Sequence, residues 1–222
     1  MNFPWKVLIV RKRIKNMYIR IRRDGTVSVT MPAGTGDSEA EAFIRSRSDW
    51  IRRMLDTLPE QKNYEYISGE LHYVFGRQIP LKIFRAARQS IVFTEEEIRM
   101  ELRTSRANRR KLYAAGAAEV LAEEIRKKLA YWVPRMRVQP AGFTVKAVKS
   151  RWGSCNIRTG QLVFALDLVT KPKPLIESVV VHELNHLLEP THNQRFYDLI
   201  LQWMPDYRER KKALSAFPRE FL

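Results

Sequence analysis

Three of this chain's four histidines lie within eleven residues: His182, His186 and His192, in the run VVVHELNHLLEPTH. His182 and His186 are four positions apart, so on a helix both project from one face. Glu183 stands beside the first, and Pro190 turns the chain before the third. Catalytic zinc takes three protein ligands and keeps a fourth position for water, and this spacing suits it. Zinc lowers the pKa of its water to about 7. Glu183, kept next to the metal by helix geometry, is then the candidate general base. The developing oxyanion needs a further donor. Arg151, Tyr197 and Tyr207 are the candidates for that role or for substrate contact, each with a plain packing role as its alternative.

HExxH alone recurs by chance on amphipathic helices, but a third histidine at workable distance, in a chain with only four, strengthens the metal reading. The six-residue step from His186 to His192 is also the metzincin spacing. Glu189, however, stands where that pattern has glycine, and a helix is expected from about Asn193 instead of a metzincin loop. Val179-Val180-Val181 alone suggests a strand, yet Pro172 and Pro174 supply a helix start. Leu175, Ile176, Val179, Val180, Leu184, Leu187 and Leu188 cover most of a helical surface, so this helix is buried nearly all round. Its polar exceptions, Ser178, His182, Asn185, His186 and Glu189, share one stripe, where buried polar groups need partners such as a metal.

The elements that must position this helix can be read outward from it. Period-two alternation over Lys15–Met31, broken at Asp24-Gly25, predicts a β-hairpin. Ser38 with Glu41 reads as a capping box, followed by an amphipathic helix through Phe43, Trp50, Ile51, Met54, Leu55 and Leu58 to Pro59. Short strands are expected over Tyr66–Phe93, with His72 on one of them as a packing or surface residue and not a ligand. A long helix is expected from about Ser105 to Val133, its buried stripe Leu121, Ile125, Leu129 and Trp132, with Pro134 and Pro140 bracketing its exit. Strands over Phe143–Lys149 and Leu162–Val169 flank the loop Ser150–Asn156. A β-rich region, residues 1–97 with a helix near 38–58, precedes a catalytic region, residues 98–222; with no flexible linker between them, the two are expected to pack as one unit.

At 222 residues and 45% hydrophobic, the chain can build a substantial core. No run approaches the roughly 18 apolar residues of a membrane span. The apolar Val7–Val10 is too short for a secretory signal and has its charge on the wrong side. A lone Cys155 rules out an internal disulfide framework. A cytoplasmic protein without a membrane partner is therefore expected. The net charge is +16. Arg99–Arg151 holds fourteen Lys and Arg against four Glu, and Arg11–Arg23 has seven cations and no acid. Such a field attracts polyanions, nucleic acid among them, unless it serves only solubility.

The stretches RWGSC (Arg151–Cys155), QLVFALDL, HELNHL, THNQRFY and MPDYRERKKAL, with the basic N-terminal hairpin and helix, resemble the YgjP-like metallopeptidase family, also called DUF45. SprT and WLM proteases are similar more distantly. The resemblance spans most of the chain and is most specific in its last 75 or so residues. It implies an α+β, zincin-like fold, Zn2+ as cofactor on His182, His186 and His192, and Glu183 as the catalytic residue. Departures at Asn185, Thr191–Asn193, Tyr197 and Ala165 bear on the lining of the cleft and so on the substrate.

Four functions compete on these residues. The first is a zinc metallopeptidase acting on a peptide or protein, with Leu162–Val169 pairing with the substrate backbone. The others are a zinc hydrolase of nucleotides or other phosphate compounds, a DNA-associated protease, and a basic binding module with a structural metal.

Overall fold

The computed structural model describes residues 3–22, 25–56, 64–105, 107–148 and 150–217. It is an α+β protein whose chain divides into two units, Met1–Asn63 and Tyr64–Leu222.

In the first unit, β1 (Val7–Lys12), β2 (Tyr18–Ile21) and β3 (Val27–Pro32) form a sheet in the order β1-β3-β2. The antiparallel pairing of β2 with β3, Tyr18 opposite Thr30, forms the expected hairpin, although Asp24 lies outside the described residues. β1 joins β3 in parallel. Alternation sends Val27, Val29 and Met31 to one face, where they bury completely with Ala40, Ile44 and Ile51. Those last three come from α1 (Asp37–Ser46) and α2 (Ser48–Asp56). The single helix expected over 38–58 is thus two helices broken at Arg47, with Leu58 and Pro59 outside the described residues. The Ser38–Glu41 capping box does not form. The helix starts at Asp37, which puts Ser38 inside it, and Glu41 pairs with Arg45 at 2.6 Å.

In the second unit, β4 (Leu71–Val74), β5 (Arg77–Arg85), β6 (Ser90–Phe93) and β7 (Ile98–Leu102) form a sheet in the order β4-β5-β7-β6. β5 pairs with β7 in parallel, Leu81 opposite Ile98, which joins residues on both sides of position 97 into one sheet. The division expected there therefore falls instead after residue 63. His72 on β4 is fully buried, stacked on Tyr64 and 2.9 Å from a Glu70 oxygen.

The long helix α3 (Arg109–Met136) starts a turn later than its pattern suggested, because Asn108 caps it by accepting from the Lys111 amide at 2.9 Å. Its end is the left-handed Arg137, and Pro134 sits inside the last turn. Tyr113, Ala117, Leu121 and Ile125 bury one stripe of it, with Leu129 and Trp132 packed at the margin.

The remaining elements surround the histidines. β8 (Gly142–Lys146), β9 (Gly153–Asn156) and β10 (Gln161–Ala165) form a sheet in the order β8-β10-β9. The expected strand Leu162–Val169 ends at Ala165, and Leu166–Thr170 coils into a buried 3₁₀ turn. Then come α4 (Lys173–Asn185), α5 (Gln194–Trp203) and α6 (Tyr207–Ala216). Glu177 on α4 accepts from Trp132 Nε1 (3.0 Å) on α3 and from Arg210 (2.9 Å) on α6, tying three helices together. Among the described residues, no helix is long and apolar enough to cross a membrane.

Candidate active site

The valine run of α4 is helical because it is buried all round, which overrides its strand propensity. Two of its polar residues find partners within the protein. Ser178 Oγ donates to the Leu175 carbonyl (2.7 Å), and the fully buried Asn185 donates to the Phe196 carbonyl (3.0 Å). The second of these bonds anchors the end of α4 to α5. His182 and His186 occupy the last turn and C-cap of α4, and His192 arrives from the connection just before α5. Asn193 caps α5 by accepting from the Phe196 amide, 3.0 Å, which fixes the residue next to His192.

All three histidines present a ring nitrogen within 4.8 Å of the other two, with His182 Nε2 and His192 Nε2 3.0 Å apart. The buried Phe196 ring lies behind them, its centroid 4.8–5.0 Å from each imidazole. A carbonyl only accepts, so His186 Nδ1–H donates to the Glu189 carbonyl at 3.3 Å and leaves Nε2 with a free lone pair. His182 Nδ1 lies 2.7 Å from the Tyr207 hydroxyl. Burial, then the neighbouring histidines and Lys211, lowers the His182 pKa to about 3; burial also lowers those of His186 and His192. Three neutral imidazoles facing one point, two of them braced from behind, form a donor set that fits a divalent cation of the zinc type.

Glu183 follows His182 and is 4% exposed, and its Oε2 has no hydrogen-bond partner. Burial raises its pKa to about 8, against an opposing pull from Arg151. Gly153 makes room for this carboxylate. A Cβ there would stand 2.5 Å from Glu183 Oε1 and 2.8 Å from its Cγ.

The histidines and Glu183 line a cleft of about 600 Å3, with Arg151, Trp152, Cys155, Tyr207 and Lys211 among its other walls. Of the three candidate contact residues, the structure brings Arg151 and Tyr207 to this cleft. Tyr207 is also committed to His182. Tyr197 is not among the lining residues, and its hydroxyl lies 3.4 Å from Lys211 Nζ. The Cys155 thiol is pushed up to about 11, by burial first and Glu183 second, and is not an activated nucleophile.

Sequence reasoning missed Gly153, Phe196 and Lys211. Lys211 had a readable signal, because it follows Tyr207 by four residues and so shares its helix face. β9 runs along the cleft and, among the described residues, pairs only with β10. The Ala165 amide donates to the Trp152 carbonyl (2.8 Å). By antiparallel alternation Ser154 and Asn156 also bond inward, which leaves the backbone groups of Gly153 and Cys155 on the open edge.

The UTP pyrophosphatase of Escherichia coli (strain K12) is 45% identical over 38 residues, which is 17% of this chain and 23% of that protein. The chain therefore matches about a quarter of the length of that curated relative. The crystal structure of the metallopeptidase zymogen of Pyrococcus abyssi abylysin aligns with 44% of this chain and 99% of its own, at 14% identity and a TM-score of 0.39. The model of the YgjP-like metallopeptidase domain matches residues 15–217, a span that contains every residue of the cleft. By that match the chain belongs to the YgjP-like metallopeptidase family.

Proposed function

We infer that this protein is a zinc-dependent metallopeptidase in which His182, His186 and His192 hold the ion and Glu183 is the general base. One observation carries the reading: three neutral imidazoles converge on the wall of a cleft that also contains a buried carboxyl with an unpartnered oxygen. When bound, the ion supplies Lewis acidity to the scissile carbonyl and acidifies a water molecule. Glu183 takes the water's proton on its unpartnered Oε2 and returns it to the leaving amine. Burial makes its carboxylate a stronger base for the first transfer, and the opposing pull of Arg151 favours the ionised form that must accept the proton and eases the proton's return in the second. Lys211 and Arg151 supply positive charge to the cleft as negative charge develops. An extended peptide can add to the open edge of β9 through Gly153 and Cys155. The segment Leu162–Val169 does not offer that edge, because β10 already has neighbours on both sides.

A second reading, hydrolysis of a nucleotide or other phosphate compound, draws on those same two cleft cations and on the short match to the UTP pyrophosphatase. One set of measurements separates the two. Purified protein is expected to carry about one equivalent of zinc, lost in His182→Ala. Glu183→Gln is expected to keep the metal and lose activity by about a hundredfold or more. Denatured casein and a nucleoside triphosphate panel then divide the substrates. Metal-free native protein, or full activity in Glu183→Gln, would overturn the mechanism.

A further inference from the structure

A second cavity, of about 450 Å3, opens in the same unit but shares no lining residue with the histidine cleft. It lies beyond the carboxyl ends of the parallel strands β5 and β7. Its polar wall is Arg85 at the end of β5, Arg103 just after β7, Arg109 in the first turn of α3, and the hydroxyl residues Thr104 and Ser105. Ile83, Phe84 and Leu102 form its apolar wall.

The pairing of charges on this sheet sets the cavity apart. Elsewhere on the sheet, cations face carboxylates: Arg77 with Glu95 (3.2 Å), Lys82 with Glu97 (2.7 Å) and Arg99 with Glu101 (3.1 Å). Among the described residues no acidic one lines the cavity, and none of its three arginines has a carboxylate partner. Arg109 is nonetheless held in place, because its Nη1 donates to the Tyr66 carbonyl at 3.2 Å. Three arginines lining one cavity, with no carboxylate partner among the described residues, repel one another, and a bound polyanion removes that repulsion. Arginine's planar fork matches phosphate oxygens two at a time, and hydroxyls add further donors. Phe84 gives one wall an aromatic face, 37% exposed, on which Arg99 already rests 4.2 Å from the ring centre. The volume falls in the range of about 300–1,000 Å3 typical of small-molecule sites.

We propose that this cavity binds a small ligand carrying two or more phosphate groups, through Arg85, Arg103 and Arg109. The shared chemistry is the oligophosphate, from inorganic chains or from a nucleoside polyphosphate. The site is independent of the peptidase reading.

The test is calorimetric titration of the metal-loaded full chain with tripolyphosphate and, separately, with a nucleoside triphosphate. Metal content is measured after each titration, so that loss of ion to the phosphate is distinguished from binding. Three proteins are compared: wild type, R85A/R103A, and R52A/R53A, which removes two exposed cations of α2 and so makes the same change in net charge. R85A/R103A is expected to weaken both ligands by about thirtyfold or more, and R52A/R53A by less than about threefold. If the nucleoside triphosphate binds more tightly and F84A removes that margin, the nucleoside form is the ligand; equal affinities identify the bare oligophosphate. Equal weakening in the two double variants would mean diffuse attraction and overturn the site. So would unchanged binding in R85A/R103A.

Discussion

Tyr207 and His182 are joined at 2.7 Å, and that contact separates two roles the tyrosine could have. A hydroxyl that positions a metal ligand acts through affinity, whereas one that meets the developing oxyanion acts through rate. Tyr207→Phe is expected to weaken metal binding by about ten- to a hundredfold, measured by competition with a chelator. With the metal saturated, activity should fall by less than about tenfold, whereas loss of an oxyanion donor costs about a hundredfold or more. Glu183 makes a different prediction, about pH. Its folded-state pKa, about 8, lies above its ordinary 4.5, so its contribution to the stability of the metal-free protein is full below about pH 4.5. That contribution is lost as pH rises through 8. In urea unfolding of chelated protein, Glu183→Gln should therefore gain on wild type between those values, by a few kcal/mol at pH 8.5. The opposite slope from the histidines, whose pKa values are lowered, is common to both proteins and cancels in the difference. A flat difference would mean that Glu183 is solvated in the metal-free protein.

The site depends on how α4 is held between its neighbours. Glu177 bridges Trp132 and Arg210, and Arg210 also reaches the Pro174 carbonyl, 3.1 Å, and Asp206, 2.8 Å. Arg210→Ala is expected to destabilise the protein by about 1–3 kcal/mol in urea unfolding, since a half-buried carboxylate then loses a charged donor. Much of this framework was legible in the sequence. The period of α3, the hairpin of β2 and β3, and the His-bearing helix follow from apolar spacing and from proline and asparagine at element starts. The misreadings have physical causes. Ile44-Arg-Ser-Arg-Ser-Asp-Trp-Ile51 contains no Gly or Pro to mark the break at Arg47, and both isoleucines still reach one core. Asp37 starts α1 a residue before the apparent cap. The apolar run Leu162–Val169 is buried either way, and burial alone does not distinguish a strand from a 3₁₀ turn. Arg210's contacts reach thirty-odd residues along the chain, beyond what any local pattern encodes.

The two units have separate cores, and the three histidines, Glu183 and the rest of the cleft all belong to the second. A ligand that binds only the folded second unit stabilises that unit by mass action. Adding zinc to chelated protein should therefore slow hydrogen exchange across residues 173–214 by about tenfold or more, while residues 7–56 stay within about twofold. Uniform slowing of both would show that the cores open together. The charge of +16 acts at this scale too, through a field that gathers anions before any contact forms.

Tyr207 comes fifteen positions after the last histidine, and Arg210 and Lys211 come later still. A polypeptide cut short after α5 would still spell out all three imidazoles and the adjoining glutamate. His182 would nevertheless lack its brace, Glu177 its cation, and the cleft one of its sides. Among truncated or decayed copies of such a gene, the histidine signature alone therefore overcounts the working ones. The stretch from 207 to 211 is the better mark of a copy that remains whole.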